Sequence, residues 1–299
     1  MDFIPFDKEA VAITAPYFAK KSGRLCDWTP AGCYLWSANY TYHYAILHGC
    51  LVMQVTLPFG EIYSPPMGEG DTAAALSALE AHCRQANKPL RISPVTPEQA
   101  TQLTAFFGDS ARVKPMPQYA DYMYHHTDLA TFAGRRYSGQ RNHINQFLKK
   151  HPNWEYRPLT AELIPSLLRF TDEYLRLKQA RGVLSESEEE DMNGVRAVLT
   201  AWDALPMSGG VILVDGAVAG FAAGERIGDT LYVHIEKGDT RYVGIYQMLV
   251  REYAAHSAAE GLAYINREDD AGEPGLRQSK LAYRPCGMAE KCSVTVERK

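Results

Sequence analysis

The sequence predicts an α+β protein built from two similar domains in tandem, each a mostly antiparallel mixed sheet flanked by helices. Three observations carry this. The chain has 299 residues, which as a soft prior allows one large domain or two of about 150. Its strand-like runs are short, rich in aromatic and β-branched residues, and cut by Gly, Asn and Asp turn signals, as in antiparallel meanders. Each half also repeats one order of elements: leading helix material, a meander, a long helix, a strand, a helix and a final strand. The likeness lies in this pattern, with no repeat at the level of individual residues.

The first half opens with a helix over residues 7–20, with Asp7 as N-cap and Val11, Ala12, Ala15 and Phe18 as its apolar set. Strands are expected at 33–37, 42–48, 51–57 and 61–64. His48-Gly49 supplies a hairpin turn, because glycine tolerates φ > 0. Asp71 caps a helix over 71–87, a strand follows over 90–93, and Pro97 opens another helix at its first position. A strand over 119–125 closes this half.

The second half starts with a helix over 138–150 and an extended run over 154–158. Leu163, Leu167, Phe170, Tyr174 and Leu177 give 159–180 a helical period, with Pro165 as a kink or as the true start. The acidic run 185–191 suits the N-terminus of a helix extending to 202. A meander follows, with strands at 211–214, 217–226 and 231–237. The amphipathic stretch 244–259 is a helix, 262–266 a strand, 273–283 a helix and 291–297 a last strand. The domains are therefore expected at 1–130 and 131–299, joined within 126–137.

Hydrophobic residues are 46% and charged residues 22%, which argues against a mainly disordered, collagenous or coiled-coil chain. The 31 Lys and Arg against 35 Asp and Glu leave a formal charge of −4, so any nucleic-acid contact should be a local patch. The six cysteines follow no C-x-x-C or zinc-finger spacing and are expected to be reduced, with no metal bound. The N-terminus MDFIPFDKEA carries acids where a secretory signal carries bases. The most apolar stretch, 209–224, is interrupted by Asp215 and is too short to span a bilayer. A cytoplasmic protein without a transmembrane segment is the expectation. No serine sits in a G-x-S-x-G context, so hydrolase chemistry has no support.

The chemistry-bearing residues concentrate in 266–285. Three consecutive acids, Glu268, Asp269 and Asp270, leave the end of a strand, where loops commonly mount catalytic groups. On the following helix Arg277, Lys280 and Arg284 share a face. Acids facing such a stripe suit a zwitterion: the carboxylates hold an ammonium, and the cations hold a carbonyl or phosphate. A solvated acid cluster beside a salt-bridged helix is the other reading, and the residues alone leave both open. These groups, with Asp270 or Glu268 as proton acceptor, are expected to point into one cavity. His234, in the last meander strand, is a further candidate base.

A second concentration is basic. Residues 129–154 contain no acid against five Lys or Arg. On the helix 138–150, Ile144, Phe147 and Leu148 make a buried face, beside a stripe of Arg141, Asn145 and Lys149. The stripe suits phosphates or an RNA acceptor end, or else pairs with acids such as those of 186–191. The element order of the second half also matches the GNAT (acyl-CoA N-acyltransferase) fold, in which a helix points its N-terminus at a pyrophosphate. Arg241 and Gly244 answer to that junction, with a purely structural helix start as the alternative.

The set Asn266, Glu268, Asp269, Gly272, Gly275, Leu276, Arg277, Lys280, Tyr283 and Pro285 resembles the C-terminal catalytic domain family of phosphatidylglycerol lysyltransferases and its soluble relatives. A second signature of that family is matched by Arg135-Arg136 with Arg141-Asn142, Ile144-Asn145 and Phe147. Asp121-Tyr122, a Trp36 strand and the turn holding Pro66, Gly68, Gly70 and Asp71 are also similar to it. The resemblance implies a tandem GNAT-like fold, like that of Fem-type aminoacyl transferases. It also implies transfer of an aminoacyl group from aminoacyl-tRNA onto an acceptor, with no further cofactor.

Carried over, Glu268 and Asp270 would be the catalytic acids that hold the ammonium of the moving amino acid. Arg277 and Lys280 would hold the acyl carbonyl or an acceptor phosphate, with Asn266 and Tyr283 beside them; His234, from its place in the meander alone, joins this substrate-binding set. Arg136, Arg141 and Asn145 would bind the tRNA donor; the stripe adds Lys149 to that set, and the element order adds Arg241 and Gly244 at a phosphate. The lipid-modifying members carry this domain after membrane helices, so here a soluble acceptor, or an acyl-CoA donor as in N-acetyltransferases, is expected ahead of a lipid acceptor, which stays open. A module that binds an amino acid or nucleotide without turnover is the reading from another class.

Overall fold

Capping and turn chemistry sets most boundaries in the computed structural model, which describes residues 1–180, 182 and 184–297. In chain order the elements begin β1 (Ile4–Pro5), α1 (Lys8–Phe18), α2 (Pro30–Trp36), β2 (Thr41–Leu47), β3 (Cys50–Leu57) and β4 (Gly60–Tyr63). There follow α3 (Thr72–Gln85), β5 (Leu90–Val95), α4 (Pro97–Phe107), β6 (Ala111–Pro115), β7 (Asp121–His125) and α5 (His126–Thr131). Next come α6 (Ser138–Lys150), β8 (Trp154–Pro158), α7 (Ile164–Ala180), α8 (Glu186–Thr200), β9 (Met207–Val214), β10 (Ala217–Ile227) and β11 (Thr230–Gly238). The chain closes with α9 (Ile245–His256), β12 (Tyr264–Asn266), α10 (Pro274–Ala282), β13 (Gly287–Ala289) and β14 (Cys292–Val296).

Asp7 and Asp71 cap α1 and α3 by accepting from Ala10 and Ala74 N–H. Thr96 with Gln99, and Ser185 with Glu188, form reciprocal capping boxes on α4 and α8. His48 and Gly49 turn the β2–β3 hairpin at φ of 49° and 80°. Two successive positive φ values mark the turn whose twist matches that of the strands. Pro165 lies in the first turn of α7 and marks its start.

One compact unit comprises Met1–Asp121 together with the last residues from Ala289. Its sheet runs β1-β2-β3-β4-β5-β14-β6, antiparallel except at the β4–β5 contact. Leu76, Leu79, Ile92, Val95 and Val294 share its core. The other unit, Tyr122–Met288, has the sheet β13-β7-β12-β11-β10-β9-β8, in which β11 and β12 are parallel. Phe132, Tyr137, Phe147, Met248 and Tyr253 belong to its core. Each unit thus places one parallel pair, joined through a helix, in a mostly antiparallel sheet.

Three expectations need correction. Residues 33–37 are not a strand: Thr29 accepts from Gly32 N–H and Pro30 takes the first helical position, so Trp36 lies on α2. The strands β6 and β13 and the helix α5 carry too few periodic residues to announce themselves. The expected division at 1–130 and 131–299 also differs, because the final strand enters the first sheet. There β14 pairs antiparallel with both β5 and β6, with Val294 opposite Ile92 and Val113. Alternating burial of Cys292, Val294 and Val296 satisfies a half-buried strand in any sheet, so local pattern did not assign it. Among the described residues, no helix is long and apolar enough to cross a membrane.

Candidate active site

The site is built where two strands part. The pairing of β11 with β12 runs only from Thr230–Tyr264 to Tyr232–Asn266, after which β12 ends and β11 continues to Gly238. Just beyond that point β11 bulges: Ala223 of β10 faces Ile235 while Gly224 faces Val233, making His234 the extra residue. Bulges re-aim side chains, and this one sets an imidazole among carboxylates. His234 Nε2 lies 3.0 Å from Glu225 Oε1 of β10, and Nδ1 lies 2.7 Å from Glu268 Oε1. The His234 and Glu225 side chains are 2% and 1% exposed, whereas Glu268 is 27% exposed. Burial disfavours a charged ring, but the hydrogen bonds and negative charge of Glu225 and Glu268 outweigh it and raise His234 to about 9. The two contacts suit the protonated ring, which donates one N–H to each carboxylate.

Glu268 is held in place by its backbone. Asn266, fully buried at the end of β12, accepts from Glu268 N–H at 2.7 Å, and Glu268 adopts a φ of 59°. A bulky residue in the left-handed region persists only where its surroundings over-determine it. The following loop is stitched from both sides. Asp270 accepts from Arg277 Nε at 2.8 Å and Nη2 at 3.1 Å, from Tyr122 Oη at 2.7 Å, and from Gly272 N–H at 3.0 Å. The Arg277 hydrogen bonds lead the effects that hold its carboxyl down at about 2. Lys280, buried, donates to the carbonyls of Arg267 and Asp269, and burial pushes its pKa down. The structure therefore brings Asn266, Glu268, Asp270, Arg277, Lys280 and His234 into one polar cluster. Asp270, Arg277 and Lys280 are committed to holding its loop.

Sequence reasoning missed the layer beneath. Arg267 binds Glu236 of β11 through Nη2 at 2.5 Å, with side chains 6% and 18% exposed. Its guanidinium lies 4.5 Å from the Tyr283 ring centroid and 5.6 Å from that of Tyr124. Tyr283 is thus a buried platform for this arginine. The available signal was a single acid in each of two largely buried strands, Glu225 in β10 and Glu236 in β11.

The expected phosphate-binding set is scattered. Arg136 pairs with Asp128 at 2.6 Å, and Arg141 donates to the carbonyls of Phe132 and Gly134 at 2.5 and 2.6 Å. Asn145 and Lys149 are exposed on α6. The acidic residues Glu188 and Asp191 pair with Lys178 and Lys237, and not with α6. Arg241 pairs with Asp239 at 2.6 Å and lines a cavity of about 470 Å³ with Phe170, Tyr174, Val218 and Tyr246. That cavity is lined by none of Glu268, Asp270, Arg277 and Lys280, so the expectation of one cavity for these four is not met there.

Gly244 has a packing reason. At a φ of 93°, a Cβ there would meet the His143 carbonyl oxygen of α6 at 2.4 Å. Gly244→Ala is expected to lower unfolding stability by about 2 kcal/mol or more in urea titration. Wild-type stability of that variant would contradict the packing role.

The family model for phosphatidylglycerol lysyltransferase, C-terminal, matches residues 25–291. A comparison with curated proteins found no match. Among solved structures, a conserved protein of unknown function from Bacteroides thetaiotaomicron is 28% identical with a TM-score of 0.93, covering 99% of this chain and 100% of that chain. L-PGS from Bacillus licheniformis is 13% identical with a TM-score of 0.69, covering 99% and 94%. FemX is 11% identical with a TM-score of 0.60, covering 100% and 98%. The last two likenesses establish the fold, a GNAT-like pair of mixed sheets.

Proposed function

The chain belongs to the phosphatidylglycerol lysyltransferase C-terminal family, and on that premise we propose that it transfers an aminoacyl group from aminoacyl-tRNA to an acceptor hydroxyl or amine. The observation that carries this reading is the Glu225–His234–Glu268 cluster at the parting strands. Two carboxylates around one imidazolium leave a single net negative charge, and Glu268 is its exposed member. A fixed carboxylate of this kind suits the α-ammonium of an aminoacyl ester, through a charge-assisted hydrogen bond.

In the reaction, the acceptor oxygen or nitrogen attacks the ester carbonyl and the ribose oxygen leaves. The proton shed by the nucleophile is the one the departing hydroxyl needs, so positioning contributes most of the rate. Asp270, with its carboxyl at about 2 and both oxygens bonded, is a poor proton acceptor and serves as the anchor of Arg277. A second reading, an acyl-CoA donor, is favoured by the cavity beside Arg241 ahead of α9.

Salt titration separates the donors. Binding of aminoacyl-tRNA is expected to weaken steeply with salt. Lys149→Ala should reduce the log–log slope by about 0.7–0.9 for one lost phosphate contact. Arg141 is no clean probe, because it also ties down the 132–134 carbonyls. Filter binding at several salt concentrations measures the slope. Affinity for acetyl-CoA without any for aminoacyl-tRNA would replace the donor, and affinity for neither would favour a non-catalytic module.

A further inference from the structure

The first unit holds a buried ion cluster of its own. Lys291, whose side chain is 1% exposed, places Nζ 2.6 Å from Asp121 Oδ1 and 2.8 Å from Asp27 Oδ2. The Asp121 side chain is fully buried. Cys26 belongs to the same cluster: its Sγ lies 3.3 Å from Asp121 Oδ1 and 3.6 Å from Lys291 Nζ. The ligand atoms of Cys26, Asp27 and Asp121 lie within 4.8 Å of one another, and the Lys291 ammonium already supplies positive charge there.

One carboxylate oxygen therefore holds a thiol and an ammonium in contact. Asp27, at 30% exposure, opens the cluster to small solutes. We propose that Cys26 and Lys291 are a site of reversible oxidative cross-linking, joined through one oxygen as an S–O–N bridge when the protein meets hydrogen peroxide.

The balance is as follows. The thiol, the ammonium and two peroxide molecules give the bridge and three waters, and the ammonium's extra proton passes to the Asp121 carboxylate. Sulfur and nitrogen each lose two electrons. S–O and N–O bonds form, S–H and N–H bonds break, and both peroxide O–O bonds break. The first step is the ordinary one for a thiol, oxidation to the sulfenic acid. The bridge ties the segment ahead of α2 to the residue preceding β14.

The test uses the full chain carrying Cys286→Ser, which removes the exposed thiol. After treatment with hydrogen peroxide, intact-mass and peptide mass spectrometry should show a gain of about 14 Da, one oxygen gained and two hydrogens lost. The gain should map to a peptide pair joining Cys26 and Lys291, and dithiothreitol should reverse it. In Lys291→Arg the bridge should vanish and leave an adduct of about 16 Da on Cys26. Oxidation of Cys26 without joining to Lys291 in the unsubstituted cluster, or no reaction at Cys26 at all, would overturn the proposal.

Discussion

Glu268→Gln is expected to lower kcat/KM for the aminoacyl donor by about 100-fold, the worth of a hydrogen bond to a charged group. Glutamine keeps the shape and can still accept from His234, so the fold should persist. What is lost is the one exposed negative charge of the cluster. The pH behaviour has a defined sign. His234 is raised from 6.5 to about 9, so its ion pairs stabilise the fold fully below its unfolded value. That contribution is lost as pH rises through about 9. In Glu268→Gln one of the two carboxylates is gone, so the loss should begin at lower pH in urea titrations. Unchanged donor kinetics in this variant would remove Glu268 from the site.

The largest effect on stability is expected at Glu236→Gln. Arg267 is buried, and among the described residues its Nη1 has no hydrogen-bond partner, so its charge relies on Glu236 and on the rings of Tyr124 and Tyr283. Removing one partner of a buried pair typically costs about 3–5 kcal/mol, because the other charge stays buried. Replacing both, as in Glu236→Leu with Arg267→Met, should recover much of that loss. A urea-denaturation cycle measures both. A loss under about 1 kcal/mol in the single variant would mean that the guanidinium is solvated in a way the packing does not allow.

Much of this architecture was legible in local chemistry. Asp7 and Asp71 announce helices because a side-chain oxygen must satisfy the first N–H groups, and Pro97 and the acidic run from Ser185 mark two more helix starts. The acid loop after Asn266 and the cations of α10 were visible as spacing, and they do meet. Their partners were not visible. That Arg277 is spent on Asp270, and Lys280 on two carbonyls, depends on how a loop folds back over a strand end. The pairing of Glu225 with His234 depends on a bulge, which shifts which residues face each other. The place of β14 depends on which sheet edge is open, a long-range property that an alternating strand does not encode.

The most direct test of aminoacyl transfer avoids choosing an acceptor. Hydroxylamine serves as surrogate nucleophile, and release of labelled aminoacyl hydroxamate from aminoacyl-tRNA is followed with and without protein. The account predicts strong acceleration by the wild type, a poor rate with N-acetylated aminoacyl-tRNA whose ammonium is blocked, and loss of that preference in Glu268→Gln. Equal rates with and without protein, or equal use of the blocked and free donors by the wild type, would contradict it.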